Sequence, residues 1–167
     1  MCGLAGRWLL QRNGYLLPIN DANMSSYILV KYLHIISILS MVSLLVVELF
    51  LLKAEMTRGE LKRLSKVDGF YGLASILVVV AGLMLWFGVG KGDAFYDNPI
   101  LHIKVGIAVM VGLISVVPTV FYVRQSKGGI EESVSLPARI RQLVILQLIL
   151  LAVIPLLAVM MAQGIRL

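Results

Sequence analysis

The chain carries little charge for its length and few of the side chains that usually perform chemistry. Charged residues make up 14% of the 167, where a soluble domain carries about 25%. That deficit excludes a water-exposed globule of this size. A single cysteine, Cys2, excludes an internal disulfide and a thiolate metal cluster. Only two histidines are present, His34 and His102, so imidazoles alone supply at most two metal ligands. The sequence has no CxxCH haem-attachment motif, no phosphate-binding loop and no nucleophile–base pair. Those absences argue against covalently attached haem, nucleotide-driven work and soluble-type hydrolase chemistry.

The chain is instead rich in apolar residues, at 59% of the total, with a mean hydropathy of +0.93. Crossing a bilayer takes about 20 mainly apolar residues, and four stretches qualify: roughly 27–52, 70–90, 99–123 and 140–163. Each is apolar around its whole helical circumference, as lipid-facing helices are. The expected fold is an all-α integral membrane four-helix bundle, with residues 24–167 forming one four-span domain. Pro99 suits the first turn of span three, and Ser135 with Pro137 marks the approach to span four. Pro118 and Pro155 fall inside spans and are expected to kink them. Residues 1–23 stand apart. Arg7 and Arg12 flank an apolar patch too short for a secretory signal. This extension reads as a short interfacial helix or as sequence ahead of a start at Met24.

Orientation follows the lysines and arginines of the short loops. Lys53, Arg58, Lys62, Arg63 and Lys66 follow span one, Arg124 and Lys127 follow span three, and Arg139 and Arg141 lie at the start of span four. The second loop has Lys91 alone, and the C-terminal tail Arg166. Loops one and three are therefore expected in the cytoplasm, with loop two and both termini outside, in a bacterial inner membrane. Trp86, Phe87, Phe95 and Tyr96 suit an outer interfacial belt. The net charge of +6 then reflects orientation and anionic lipid, not nucleic acid.

Ionisable groups inside spans are costly and usually functional, so the candidate site comes from those that remain. On span one, Lys31, His34, Ser37, Met41, Leu45 and Glu48 share one helical stripe. Span three enters from the same side with His102 and Lys104. Two imidazoles facing each other across a bundle can ligate a b-type haem, since haem iron accepts imidazole from both sides. Lys31 and Lys104 would meet its propionates, Gly106 would admit the macrocycle, and Ser37 would orient an imidazole. His102 and Lys104 are two residues apart and project to nearly opposite sides of the helix, which strains their convergence on one ligand. Met41 or Met110 could extend a zinc or copper site only weakly. Glu48 and Asp68 form a second constellation. They are expected to pair with Lys53, Arg124 or Arg141 as an ion-pair lock, or to relay protons because Glu48 shares the His34 face. Tyr71-Gly72, Ala81 and Gly82 read as close helix packing, and Gln142 and Gln147 as cross-helix hydrogen bonders.

From about Met24 onward the chain resembles a bacterial family of predicted four-helix membrane proteins of unknown function. The residues that carry this are KYLHII at 31–36, Glu48 in VVELF, DGFYG at 68–72, GKGDAFYDNP at 90–99 with HIK following, and LAVIPLLAVMMAQG near the end. More distantly it resembles the J-type protoporphyrinogen IX oxidase and the copper-resistance D-type membrane proteins. That likeness rests on Lys31 and His34 in a K-x-x-H-I-I pattern and on Leu101, His102 and Lys104 in L-H-x-K. It implies a haem-binding four-helix core. The aromatic continuation of the oxidase's first helix is replaced here by ILSMVSLLVVELFLL, so oxidase activity is not carried over.

The sequence thus supports a haem b protein of the membrane with an electron-transfer or redox role. Its partner would be a quinone, a porphyrin or a respiratory-complex subunit. Two other readings stand beside it. One is a non-enzymatic small subunit of a respiratory or transport complex, or a homo-oligomer. The other is a proton- or metal-coupled transporter using Lys31, His34 and Glu48. A bis-histidine haem predicts sharp Soret and α bands in a reduced-minus-oxidised spectrum of the purified protein. His34→Ala and His102→Ala should each abolish or distort those bands, and unchanged spectra in both would remove the ligand assignment.

Overall fold

A computed structural model describes the backbone of residues 8–10, 16–18, 21–89 and 99–163, with side chains from 24 onward within those ranges. Expectations resting on Arg7, Arg12, residues 90–98 and Arg166 lie outside the described residues. Four long helices dominate: α1 (Asp21–Leu51), α2 (Arg58–Leu83), α3 (Pro99–Gln125) and α4 (Ala138–Ala162). Each is long and apolar enough to cross a membrane. Bulky apolar side chains point outward all round, including Phe50 at 83% exposure and Leu113 at 69%. Such a surface is stable only against hydrocarbon. The chain is a four-helix membrane bundle.

The helices pack as a ring, α1 on α2, α2 on α3, α3 on α4 and α4 back on α1. One apolar cluster, built on Met41, Leu45, Leu64, Ala74, Val111, Val144 and Leu151, fills most of the interior. A smaller one, Ile100 with Leu157 and Met161, closes the end nearer loop two. Pro118 and Pro155 both lie inside unbroken helical assignments. Helix α3 starts at Pro99 as expected, and α4 starts at Ala138, directly after Pro137 and two residues ahead of the apolar stretch read from about 140.

The second span departs from expectation. Helix α2 begins at Arg58, twelve residues before the apolar stretch read from sequence, so Lys62, Arg63 and Lys66 ride on helix rather than loop. A capping box explains the early start: Thr57 Oγ1 accepts from the Glu60 amide at 3.2 Å, and the Glu60 carboxylate accepts from the Thr57 amide at 2.9 Å. At its far end α2 widens into a π-helical turn, Met84–Gly88, where the Val89 amide donates to the Met84 carbonyl at 2.9 Å.

Two small antiparallel ribbons were not expected. In the extension, β1 (Trp8–Leu10) pairs with β2 (Leu16–Pro18), where an interfacial helix was one reading. The other ribbon ties two loops together: β3 (Glu55–Thr57) after α1 pairs with β4 (Ser133–Ser135) before α4. Met56 turns into the bundle and is buried, while Glu55 stays exposed. Arg58 fastens the ribbon's edge. Its Nε donates to Glu132 Oε2 at 2.6 Å, and its Nη1 donates to the carbonyls of Gln125, at 3.2 Å, and Lys127.

Gly128 makes the turn that brings those carbonyls to Arg58. Its φ of +126° lies where side chains are rarely tolerated, and a Cβ there would sit 3.0 Å from the guanidinium carbon. Gly128→Ala should therefore lower stability by about 1–3 kcal/mol, read as a lower Tm in detergent. Gly72→Ala, where a Cβ meets no atom within 4 Å, should leave the Tm unchanged or raise it.

Candidate functional site

The interior stripe of α1 runs Val30, His34, Ser37, Met41, Leu45 and Glu48, a 3.6-residue repeat. Lys31 is off this stripe. It is exposed, its ammonium 5.5 Å from the Tyr27 ring. On α3 the interior stripe runs Ile100, Lys104, Ile107, Val111, Pro118 and Tyr122, so Lys104 faces inward and His102 outward. The two-residue offset noted in the sequence is resolved in favour of the lysine.

The polar groups form two levels separated by an apolar layer. Nearer loop two, half-buried His34 has its Nδ1 3.0 Å from the Val78 carbonyl, and Gly82 leaves room for its ring. Lys104 turns inward from α3 near the same end of the bundle. His102 instead presents its edge to Trp86, at 6.0 Å between ring centres, and Trp86 stacks on Phe87. Among the described residues no ring contact or hydrogen bond joins the two histidines.

The second level lies fourteen residues along α1 from His34, about 21 Å at 1.5 Å per residue. Here every helix contributes. Glu48 on α1 is 1% exposed, Asp68 on α2 is 4% exposed and Gln147 on α4 is 1% exposed. Tyr122 on α3 donates to Glu48 Oε1 at 2.8 Å, and Tyr71 on α2 donates to Gln147 Oε1 at 3.1 Å. Thr119 Oγ1 lies 3.0 Å from Asp68 Oδ1 and 2.9 Å from the Ser115 carbonyl. The two carboxyl groups bond to hydroxyls one turn apart on α3, Thr119 and Tyr122, and so lie at one level of the bundle.

The partners of these carboxyls are hydroxyls, not the cations expected from sequence. Lys53 pairs with Glu60 at 2.8 Å, and Arg124 and Arg141 are exposed. Geometry explains the difference. Glu48 sits a full turn inside the end of α1, and Asp68 lies ten residues into a helix that starts early. Both are therefore deeper than the interfacial basic groups. One atom is left over: Glu48 Oε2 is buried with no hydrogen-bond partner.

This level was only half legible in advance. Glu48, Asp68 and Gln147 stood out as polar residues within apolar spans. Tyr71 was read as close helix packing, and Thr119 and Tyr122 did not stand out, because a tyrosine or threonine in a span usually marks an interface or a helix contact. Their hydroxyls matter only once the register sets them beside the carboxyls.

Residues 26–166 match the family described as predicted membrane protein (DUF2214). The chain belongs to that family. The match covers all four spans and both polar levels, and leaves the extension with its β1–β2 ribbon outside. No curated protein matches the chain, and neither does any solved structure. The family description agrees with the four-span architecture and assigns no activity.

A b-type haem between spans one and three would need both histidines. His34 keeps one feature of a ligand, since a carbonyl on Nδ1 fixes the tautomer and leaves Nε2 with its lone pair. His102 lies on the outer face of α3 beside Trp86, and Gly106 likewise faces outward with open space around it. A haem held by both imidazoles does not fit this arrangement.

The Glu48–Tyr122 bond makes a direct prediction. Tyr122→Phe should cost about 1–3 kcal/mol by leaving a buried carboxyl without a donor. In a Glu48→Leu background the same substitution should cost clearly less. Equal losses in the two backgrounds, measured by thermal unfolding in detergent, would mean that the bond contributes nothing.

Proposed function

We propose that this protein is a proton-coupled membrane component whose proton-binding centre is the Glu48–Asp68 pair. The observation that carries this reading is Glu48 Oε2, buried with no hydrogen-bond partner among the described residues, while buried Asp68 is held at Thr119, one turn along α3 from the Tyr122 that holds Glu48. Two buried carboxylates at one level cannot both stay charged in a low-dielectric interior when neither, among the described residues, pairs with a cation. A proton removes one charge and, unlike a metal ion, needs neither space nor several ligands.

The Thr119 hydroxyl supports the same reading. It has one proton and two acceptors within reach, Asp68 Oδ1 and the Ser115 carbonyl. A proton on Asp68 resolves the conflict: the acid donates to Thr119, and Thr119 donates to Ser115. Occupancy of the pair is thereby tied to backbone on α3, and through Tyr122 to a second point on that helix.

A redox role through haem would draw on His34 without His102, and the small-subunit reading has no single contact in its favour. Both are weaker than the carboxyl pair as a starting point.

Proteoliposomes loaded with a pH-sensitive dye test the proposal. Under an imposed pH gradient, wild-type protein should dissipate the gradient faster than empty vesicles. Glu48→Gln should cut that rate at least about tenfold, a barrier change of roughly 1.4 kcal/mol. Glu60→Gln, at the exposed cap of α2, should not slow it. Wild-type rates no faster than empty vesicles, or full activity in Glu48→Gln, would overturn the reading. A sodium-dependent rate that is indifferent to the pH gradient would replace the proton with a small cation.

A further inference from the structure

Loops one and three build a second feature that the carboxyl pair does not use. An open groove of about 410 Å³ lies beside the first turns of α2, lined by Gly59, Glu60, Lys62, Arg63, Lys66 and Ile130 among others. Lys62 and Lys66 are one turn apart on the same side of the helix, and Arg63 is adjacent. All three are exposed. Among the described residues the only ion pairs are Lys53–Glu60 and Arg58–Glu132, so none of the three has a carboxylate partner. The one acid in the lining, Glu60, is already engaged by Lys53 and by the Thr57 amide.

The groove is held in shape by its surroundings. The Arg58 and Gly59 amides donate to the Glu132 and Ile130 carbonyls at 3.0 and 3.1 Å. Those bonds fix Ile130 against Gly59, where even a Cβ would come within 2.8 Å of the Ile130 side chain. They also occupy amides at the start of α2, so an anion here would be held by side chains rather than by the helix end. Ile130 itself is 70% exposed.

Depth selects the occupant. Phe70, 62% exposed, begins the lipid-facing part of α2, four residues or about 6 Å beyond Lys66. Three unpaired cations thus sit at headgroup level with an exposed apolar side chain beside them. From this we infer that the groove binds the phosphate of an anionic phospholipid, with Lys62, Arg63 and Lys66 on the phosphate and Ile130 against the apolar part of the lipid. Arg139 and Arg141 are also exposed at the start of α4 but outside the groove lining, which makes them the control for diffuse surface charge.

Native mass spectrometry of the full chain, titrated with phosphatidylglycerol or phosphatidylcholine, tests this. Wild-type protein should retain phosphatidylglycerol preferentially. Lys62→Gln/Arg63→Gln/Lys66→Gln should weaken that retention by about fivefold per charge removed, while Arg139→Gln/Arg141→Gln should change it little. Circular dichroism establishes that each variant is helical, and Ile130→Ser supplies an independent variant that keeps every charge and should still weaken retention. Equal losses in the groove and control variants would overturn the inference in favour of a diffuse basic surface. Unchanged retention in the groove variant would overturn it outright. Inorganic phosphate that displaces the lipid at equal concentration would reassign the groove to free phosphate.

Discussion

A carboxyl group cannot be left bare in the interior of a membrane bundle, and the packing of this protein answers that constraint. Helices in lipid gain little from apolar contact with one another, because hydrocarbon solvates them equally well. Polar contacts therefore weigh heavily in choosing the partners and register of the spans. Glu48 needs Tyr122, Asp68 needs Thr119, and Tyr71 needs Gln147. Those three bonds join α1 to α3, α2 to α3 and α2 to α4. One of them lies along a contact of the ring and two run across it, so together they tie all four helices into one register.

The β3–β4 ribbon reinforces the same register from outside the membrane. It joins the chain just after α1 to the chain just before α4, and Arg58 links it to the end of α3. Met56 carries the ribbon's contact into the bundle, within the same apolar cluster as Tyr71 and Tyr122. The carboxyl level is thus bounded on one side by a hydrogen-bonded clamp and on the other by the layer of Met41, Leu45 and Val111. Beyond that layer His34 and Lys104 form a separate polar level at the opposite end. A protein built this way has one fully enclosed acidic centre and one half-open basic one, with hydrocarbon-like packing between.

Much of this was legible beforehand. The number of spans, the helix starts after Pro137 and at Pro99, and the stripe carrying His34, Ser37, Met41, Leu45 and Glu48 all followed from apolar length and the 3.6-residue period. The start of α2 was misplaced because apolar length cannot register a charged amphipathic prelude. The capping box in Thr57-Arg-Gly-Glu60 was the signal that could have placed it. The ion-pair partners proposed for Glu48 and Asp68 failed for a related reason. Nearness in sequence to a basic loop says nothing about depth once the helix extends past the loop.

What the amino-acid sequence determined by itself was the class and the inventory: a membrane bundle of four spans, with a few ionisable residues each fixed to a face of its own helix. That is local information, set by residue chemistry and helical period. It established that His102 and Lys104 point to opposite sides of one helix, but not which of them faces inward. Spans that are apolar all round have no polar face to mark the outside, so periodicity alone cannot orient them. Only the packing of the four helices against one another decided that Lys104 turns in and His102 turns out. The same packing brought a glutamate and a tyrosine seventy-four residues apart to within 2.8 Å.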